Sequence, residues 1–243
     1  MNHRRFRFRR IGIVSILGLV LFLGSCRQFF TTSLAPWAAR DPASLIPPVT
    51  TANIQDLLEQ SANSPDQSLA LLDKIKDALA TASAEDQAVL QAAALSAASN
   101  ASGVATSILS NAGDLLNAME SGQPDAIITV VSDAIAGLSN LASTATLLTG
   151  MLPDPNDTAA FNAFVDQATP DDLAMAAIVL LASEAQASGG VENYITSFDS
   201  GSPTLNTTES LAVALAGAAA ASYAASGGTG QLADILAGLN LTP

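Results

Sequence analysis

The side chains that could do chemistry in this sequence are mostly carboxylates. The densest acidic group is Asp166, Asp171 and Asp172, and a pair of close carboxyl groups is what glycoside hydrolysis requires. These three residues are the ones a carboxylate-dependent, glycan-acting enzyme would use. Acidic residues in the first turn of a helix also complement the helix dipole. We therefore favour helix capping as the role of Asp171 and Asp172.

Two further groups of residues could form a site. Residues 154–157 read Asp-Pro-Asn-Asp, which resembles part of a calcium loop but lacks the other ligands and the central glycine. This pattern favours a turn, with Asn156 or Asp157 capping the next helix. The aromatic residues either line a groove or, as we favour, belong to the core; they are Tyr194, Phe198 and Tyr223. We predict no catalytic, cofactor-binding or metal-binding residue.

The only histidine, His3, and the only cysteine, Cys26, both lie in the N-terminal stretch. Five arginines fall within the first ten residues, an apolar run covers 11–23, and Leu23-Gly24-Ser25-Cys26 follows. A basic start, an apolar run of about 7–15 residues and a small-residue cleavage site are typical of a secretory signal. The fifteen residues 11–25 are fewer than the roughly 20 that a spanning helix needs. An uncleaved N-terminal anchor is the alternative.

The stretch 1–26 closely resembles a bacterial lipoprotein signal, whose lipobox places Leu, two small residues and Cys at the end of the apolar run. The resemblance implies that residues 1–25 are removed and that Cys26 carries the acyl chains that bind the membrane. It also implies a lipid-anchored protein of the cell envelope. In enteric-type sorting an Asp after the Cys retains the protein in the inner membrane, so Arg27 at that position favours the outer membrane.

Removing residues 1–25 leaves a strongly acidic chain. Four basic residues remain against 22 acidic ones, a net charge of −18, and no Lys, Arg or His follows Lys76. Nucleic-acid binding requires cations that neutralise phosphates, so we exclude a nucleic-acid partner. The remaining chain has no imidazole and no free thiol, which excludes the usual nucleophilic triads and His/Cys zinc sites. We therefore predict a protein that is not an enzyme and uses no cofactor.

Residues 26–52 are predicted to be the lipidated cysteine plus a proline-rich linker or docking segment. Its apolar residues, among them Trp37, either lie at the lipid surface or, as we favour, pack on the first helices. From residue 53 onward start and stop signals predict helices throughout, without period-two alternation. The predicted helices are 54–61, 65–81, 87–101, 104–119, 124–148, 158–167, 170–188, 191–198, 209–226 and 230–239.

A weak internal repeat runs through these helices. Residues 82–103 align without gaps to 168–189, and 207–227 align to 169–189. Each segment has a Ser/Thr cap, an acid and an alanine-rich body, and shared helix chemistry alone is the alternative explanation. We predict a single all-α domain over 53–243, with about nine helices in stacked hairpins, as an irregular α-solenoid or bundle.

This architecture favours a scaffold or binding domain, with an envelope protein or an apolar ligand as its partner. The alternative is a lipid-binding or membrane-perturbing carrier that uses apolar helix faces such as those in 124–148.

Overall fold

The computed structural model describes residues 41–199 and 204–226. The predicted lipoprotein signal, Cys26, Trp37 and the predicted closing helix 230–239 lie outside these residues. Pro42–Pro243 forms one compact unit. Its described part is all-α, with no β-strand in residues 41–199 or 204–226. The prediction of an all-α domain is confirmed.

Between Pro42 and Ser226, and leaving aside 200–203, eleven helices follow a single helical turn at Pro42–Leu45. The turn packs against α2, and Ile46 and Val49 after it join the hydrophobic core. The helices are α1 (Ile54–Ser61), α2 (Pro65–Leu79), α3 (Ala84–Ser102), α4 (Val104–Ser110), α5 (Ala112–Ser121), α6 (Pro124–Ala136), α7 (Leu141–Met151), α8 (Thr158–Val165), α9 (Pro170–Ala187), α10 (Val191–Asp199) and α11 (Thr207–Ser226).

The helix starts follow the capping signals in the sequence. The Ser64 hydroxyl accepts a hydrogen bond from the Gln67 amide, and Asp157 caps α8 in the same way through Ala160. Such caps satisfy amide groups that have no partner inside the helix, and each stabilises a helix by about 0.5–2 kcal/mol. The short Ser/Thr/Asp motifs therefore fix where the helices begin.

Helices α3 and α9 form the centre of the domain. They pack against each other, α3 also contacts α1, α2, α4, α7 and α8, and α9 also contacts α4, α6, α7, α10 and α11. Both are alanine-rich and bury residues around much of their circumference, as a helix enclosed by neighbours must. Small side chains let several helices approach them closely. These two helices are two of the three segments that align in the internal repeat. The third segment contains α11, and the Ser/Thr cap predicted for it is wrong, because Asn206 caps that helix.

Helices α3 and α9 begin in the same way. The Ser83 hydroxyl accepts from the Asp86 amide at 3.2 Å and donates to the Asp86 carboxylate at 2.7 Å. At the start of α9, the Thr169 hydroxyl forms the equivalent bonds with Asp172 at 3.1 and 2.7 Å. The two central helices thus share a cap, as the repeat predicts.

The two helices also end alike. Gly103 follows α3 with φ of 71°, and Gly189 lies just after α9 with φ of 84°. Both angles are in the left-handed region that favours glycine.

Nine of the predicted helices fall within the described residues, and two of these are each divided in two, which gives the eleven helices of that part. The single helix predicted over 124–148 is wrong: α6 ends at Ala136, and α7 leaves at 87° to it. Residues 137–140 between them read Gly-Leu-Ser-Asn, and these residue types favour turns over helix interiors. The helix predicted over 104–119 is interrupted at Asn111, whose side chain bonds the Ser107 carbonyl.

No single helix in the described ranges is long and apolar enough to cross a membrane. Two pairs of consecutive helices, α6 with α7 and α9 with α10, are long and apolar enough by length and composition alone when each pair is counted together. The two helices of each pair are bent relative to each other, by 87° and 92° respectively.

Candidate functional site: an apolar cleft

A cleft of about 350 Å³ lies between α4, α6, α9 and α10. Its volume is at the lower end of the roughly 300–1,000 Å³ of small-molecule sites. It is also more than twice the ~150 Å³ of an apolar cavity that stays dry and binds benzene. Its wall is almost entirely apolar, and branched aliphatic side chains from three of the helices supply much of it. They include Val104, Val131, Ile135, Ile178 and Leu181.

The polar side chains around the cleft bond to other protein groups. The Ser107 hydroxyl donates to the Ala134 carbonyl at 2.6 Å, and Asn111 Nδ2 donates to the Ser107 carbonyl at 2.8 Å. The Ala134 carbonyl lies in the last turn of α6, where carbonyl groups lack partners within the helix. Because these donors are already satisfied, the cleft offers an incoming ligand little besides apolar contact.

Gln186 fixes the position of α6 against α9. Its Nε2 donates to the carbonyls of Ile135 and Leu138 at 3.3 and 3.4 Å. These bonds join α9 to the C-terminal end of α6, where Ile135 and Leu138 also line the cleft.

Tyr194 forms the α10 side of the cleft, and α11 holds it in place. Its hydroxyl donates to Glu209 Oε1 at 3.1 Å. Glu209 Oε2 accepts from the Asn206 amide at 2.8 Å, and Asn206 Oδ1 accepts from the Glu209 amide at 2.8 Å. This reciprocal pair is a capping box at the start of α11. Asn206 Nδ2 also donates to Glu184 Oε2 at 2.9 Å, so two carboxylates lie close to this edge of the cleft.

The predicted acidic group is engaged in structural contacts. Asp172 accepts from Thr169 at the start of α9 and from the Ser96 hydroxyl on α3 at 2.9 Å. Asp171 accepts a hydrogen bond from the Tyr223 hydroxyl, and Asp166 follows α8 as its C-terminal cap residue. The capping interpretation is confirmed for Asp172. None of these three acidic residues lines the apolar cleft.

Residues 154–157 form the turn that the sequence favours. Asp154 Oδ1 accepts from the Asn156 amide and side chain at 2.9 and 2.8 Å, and these bonds lower the pKa of Asp154. Asp157 caps α8. No group of three or more His, Cys, Asp or Glu side chains within 41–199 and 204–226 is arranged to hold a metal ion.

The aromatic residues divide between the two interpretations. Tyr194 lines the cleft, whereas Tyr223 packs against the core and bonds to Asp171. The side chain of Phe198 lies outside what the structure describes. The cleft itself is not readable from the sequence, although its α6 wall falls in the 124–148 stretch that the carrier hypothesis names.

Both tyrosines are expected to ionise later than a free phenol. Partial burial and the bond to Asp171 raise the pKa of Tyr223 to about 12, and burial beside Glu209 raises the pKa of Tyr194 further. The folded state therefore retains these protons above pH 10 while the unfolded state loses them, so stability falls as the pH rises through 10 to 12.

An absorbance titration at 295 nm checks this, because the chain has only two tyrosines. The folded protein is expected to show almost no tyrosinate at pH 10.5, and the chain in denaturant about half or more of the full signal. Equal curves in the two states would contradict the described hydrogen bonds. Replacing Tyr223 with Phe assigns the earlier of the two steps.

Comparison with protein families, curated proteins and solved structures finds no match for this chain.

Proposed function

We propose that this chain is a membrane-anchored cell-envelope lipoprotein whose helical domain binds an apolar ligand without catalysing a reaction. The cleft between α4, α6, α9 and α10 is the binding site. Acyl chains on Cys26 hold the domain at the membrane, with the outer membrane favoured. The domain is thus a binding module, of the scaffold-or-carrier class that the sequence favours.

The observation that carries the proposal is the apolar cleft itself. The cleft encloses about 350 Å³, and its aliphatic lining lacks on that side the contacts with neighbouring side chains that a closed core would give. A ligand that fills the cleft restores those contacts and buries apolar surface, at about 25 cal/mol per Å².

The anchor rests on the lipobox-like residues. Leu23-Gly24-Ser25-Cys26 follows an apolar run of the length expected for a signal. Two or three acyl chains give stable attachment, where one chain gives only reversible binding. A ligand-binding domain held in this way samples the apolar molecules at a membrane surface.

Binding is tested with an uncharged fluorescent probe, N-phenyl-1-naphthylamine, and with residues 26–243 carrying Cys26→Ser, a chain without the signal and without acyl groups. Ala182 is 8% exposed and lines the cleft, so Ala182→Phe places a ring in the open volume. We expect it to weaken probe binding about tenfold, which corresponds to about 1.4 kcal/mol. Filling a cavity usually stabilises by about 0.5–2 kcal/mol, so the melting temperature should not fall.

The matched control is Ala221→Phe, at an exposed position on α11 away from the cleft lining. It should bind the probe as the parent does. Equal probe affinity in Ala182→Phe, or no binding by the parent protein, would refute the cleft as the site. Organic extraction of protein purified from cells should also return a bound apolar molecule.

A further inference from the structure

We infer that the cleft takes a cationic amphiphile with a single hydrocarbon chain and discriminates against anionic ones of the same length. This inference rests on the proposed function, since it names the class of ligand for the same cleft. The volume of about 350 Å³ limits the apolar part to one slender chain, because it lies at the bottom of the range for small-molecule sites.

The charge around the cleft is of one sign. Glu209 bonds directly to the cleft residue Tyr194, and Glu184 is linked to Glu209 through Asn206. A cationic head group is attracted to these carboxylates and an anionic one is repelled.

No Lys, Arg or His of the described residues lies in the lining of the cleft. The only cations in residues 41–199 and 204–226 are Lys74 and Lys76, both on α2, a helix that contributes nothing to the cleft lining. Lys74 also forms an ion pair with Asp77 at 3.9 Å.

The edge near Tyr194 suits a head group better than the interior does. The interior wall is apolar, while Tyr194 and Glu209 bring an oxygen-rich cluster to the α10–α11 side. A chain can therefore lie among the aliphatic residues with its charged end at the carboxylates. Charged and apolar parts of the ligand then both find complementary surroundings.

Displacement of N-phenyl-1-naphthylamine by three ten-carbon amphiphiles tests the inference. Decyltrimethylammonium, 1-decanol and decanoate are compared below the concentrations at which they aggregate. We expect decyltrimethylammonium to displace the probe at a concentration about tenfold lower than decanoate does, with 1-decanol between them. The difference should shrink as salt is raised, because exposed charges are screened over about 10 Å at 0.1 M.

The double variant Glu184→Gln, Glu209→Gln identifies the source of the discrimination. Gln retains the capping box and the acceptor for Asn206 while removing both charges, and the cation–anion difference should fall at least threefold. The double variant Glu59→Gln, Glu85→Gln, at exposed sites on α1 and α3, is the charge-matched control and should leave the difference unchanged.

Equal displacement by the three amphiphiles, or the strongest displacement by decanoate, would overturn the inference. So would a double variant that discriminates as the parent does. Failure of the probe itself to bind would instead refute the proposed function, so the two results are distinguishable.

Discussion

Replacing Cys26 with serine is expected to abolish the incorporation of labelled palmitate and to leave residues 1–25 attached, because the signal is cut only at a lipidated cysteine. Cys26 is the only cysteine in the chain, so no other thiol can take the lipid. Each buried methylene of an acyl chain contributes about 0.8 kcal/mol to membrane attachment, and losing all chains removes essentially all of that energy. Palmitate labelling and intact mass are the measurements.

Ser25→Ala is the matched control, because it keeps a small residue beside the cysteine. It should still be labelled, and its mass should show loss of residues 1–25 and gain of acyl groups. If the unsubstituted protein keeps residues 1–25 and gains no acyl mass, the apolar run 11–23 is an uncleaved anchor and the lipid anchor is refuted.

Leu180→Ala is expected to lower the free energy of unfolding by about 2–5 kcal/mol. Leu180 is 0% exposed and lies on α9, the helix that packs against six others. Neighbours held by so many contacts cannot collapse into the space left behind, so the cavity term adds to the lost transfer energy. For a domain of this size, each kcal/mol lowers the melting temperature by roughly 2–4 °C.

Urea unfolding followed by circular dichroism measures the change. Val213→Ala removes methyl groups from a side chain that is 43% exposed on α11. It should change stability by no more than about 0.5 kcal/mol. A comparable loss in both variants would indicate that α9 is not the centre of the core.

The helix starts could be predicted because they depend on local chemistry. A hydroxyl or carboxylate that accepts from the amide three residues on needs only its neighbours in sequence, as Ser83 and Thr169 illustrate. The capping role of Asp172 is readable for the same reason. Its bond to Ser96 is not, because that contact depends on how α3 and α9 pack.

The break between α6 and α7 has a local signal in Gly137, Ser139 and Asn140, whereas the cleft could not be predicted because it depends on packing. Helical spacing of apolar residues continues across Gly137 and Asn140, so periodicity alone favours one helix where α6 and α7 turn by 87°. The cleft exists because four helices do not close on one another. The apolar residues that line it have the composition of ordinary core residues, and no sequence signal separates the two.

The central pairing of α3 with α9 also sets the order in which the chain can fold. The hydrogen bond between Ser96 and Asp172 joins residues 76 positions apart. Helix α3 therefore lacks one of its main packing partners until α9 has formed and packed against it. Contacts that span so much of a chain form late, since the closure of a long loop must precede them. For a protein exported as we propose, the segment that emerges first cannot complete its core. This segment therefore stays incompletely packed until α9 has also crossed the membrane.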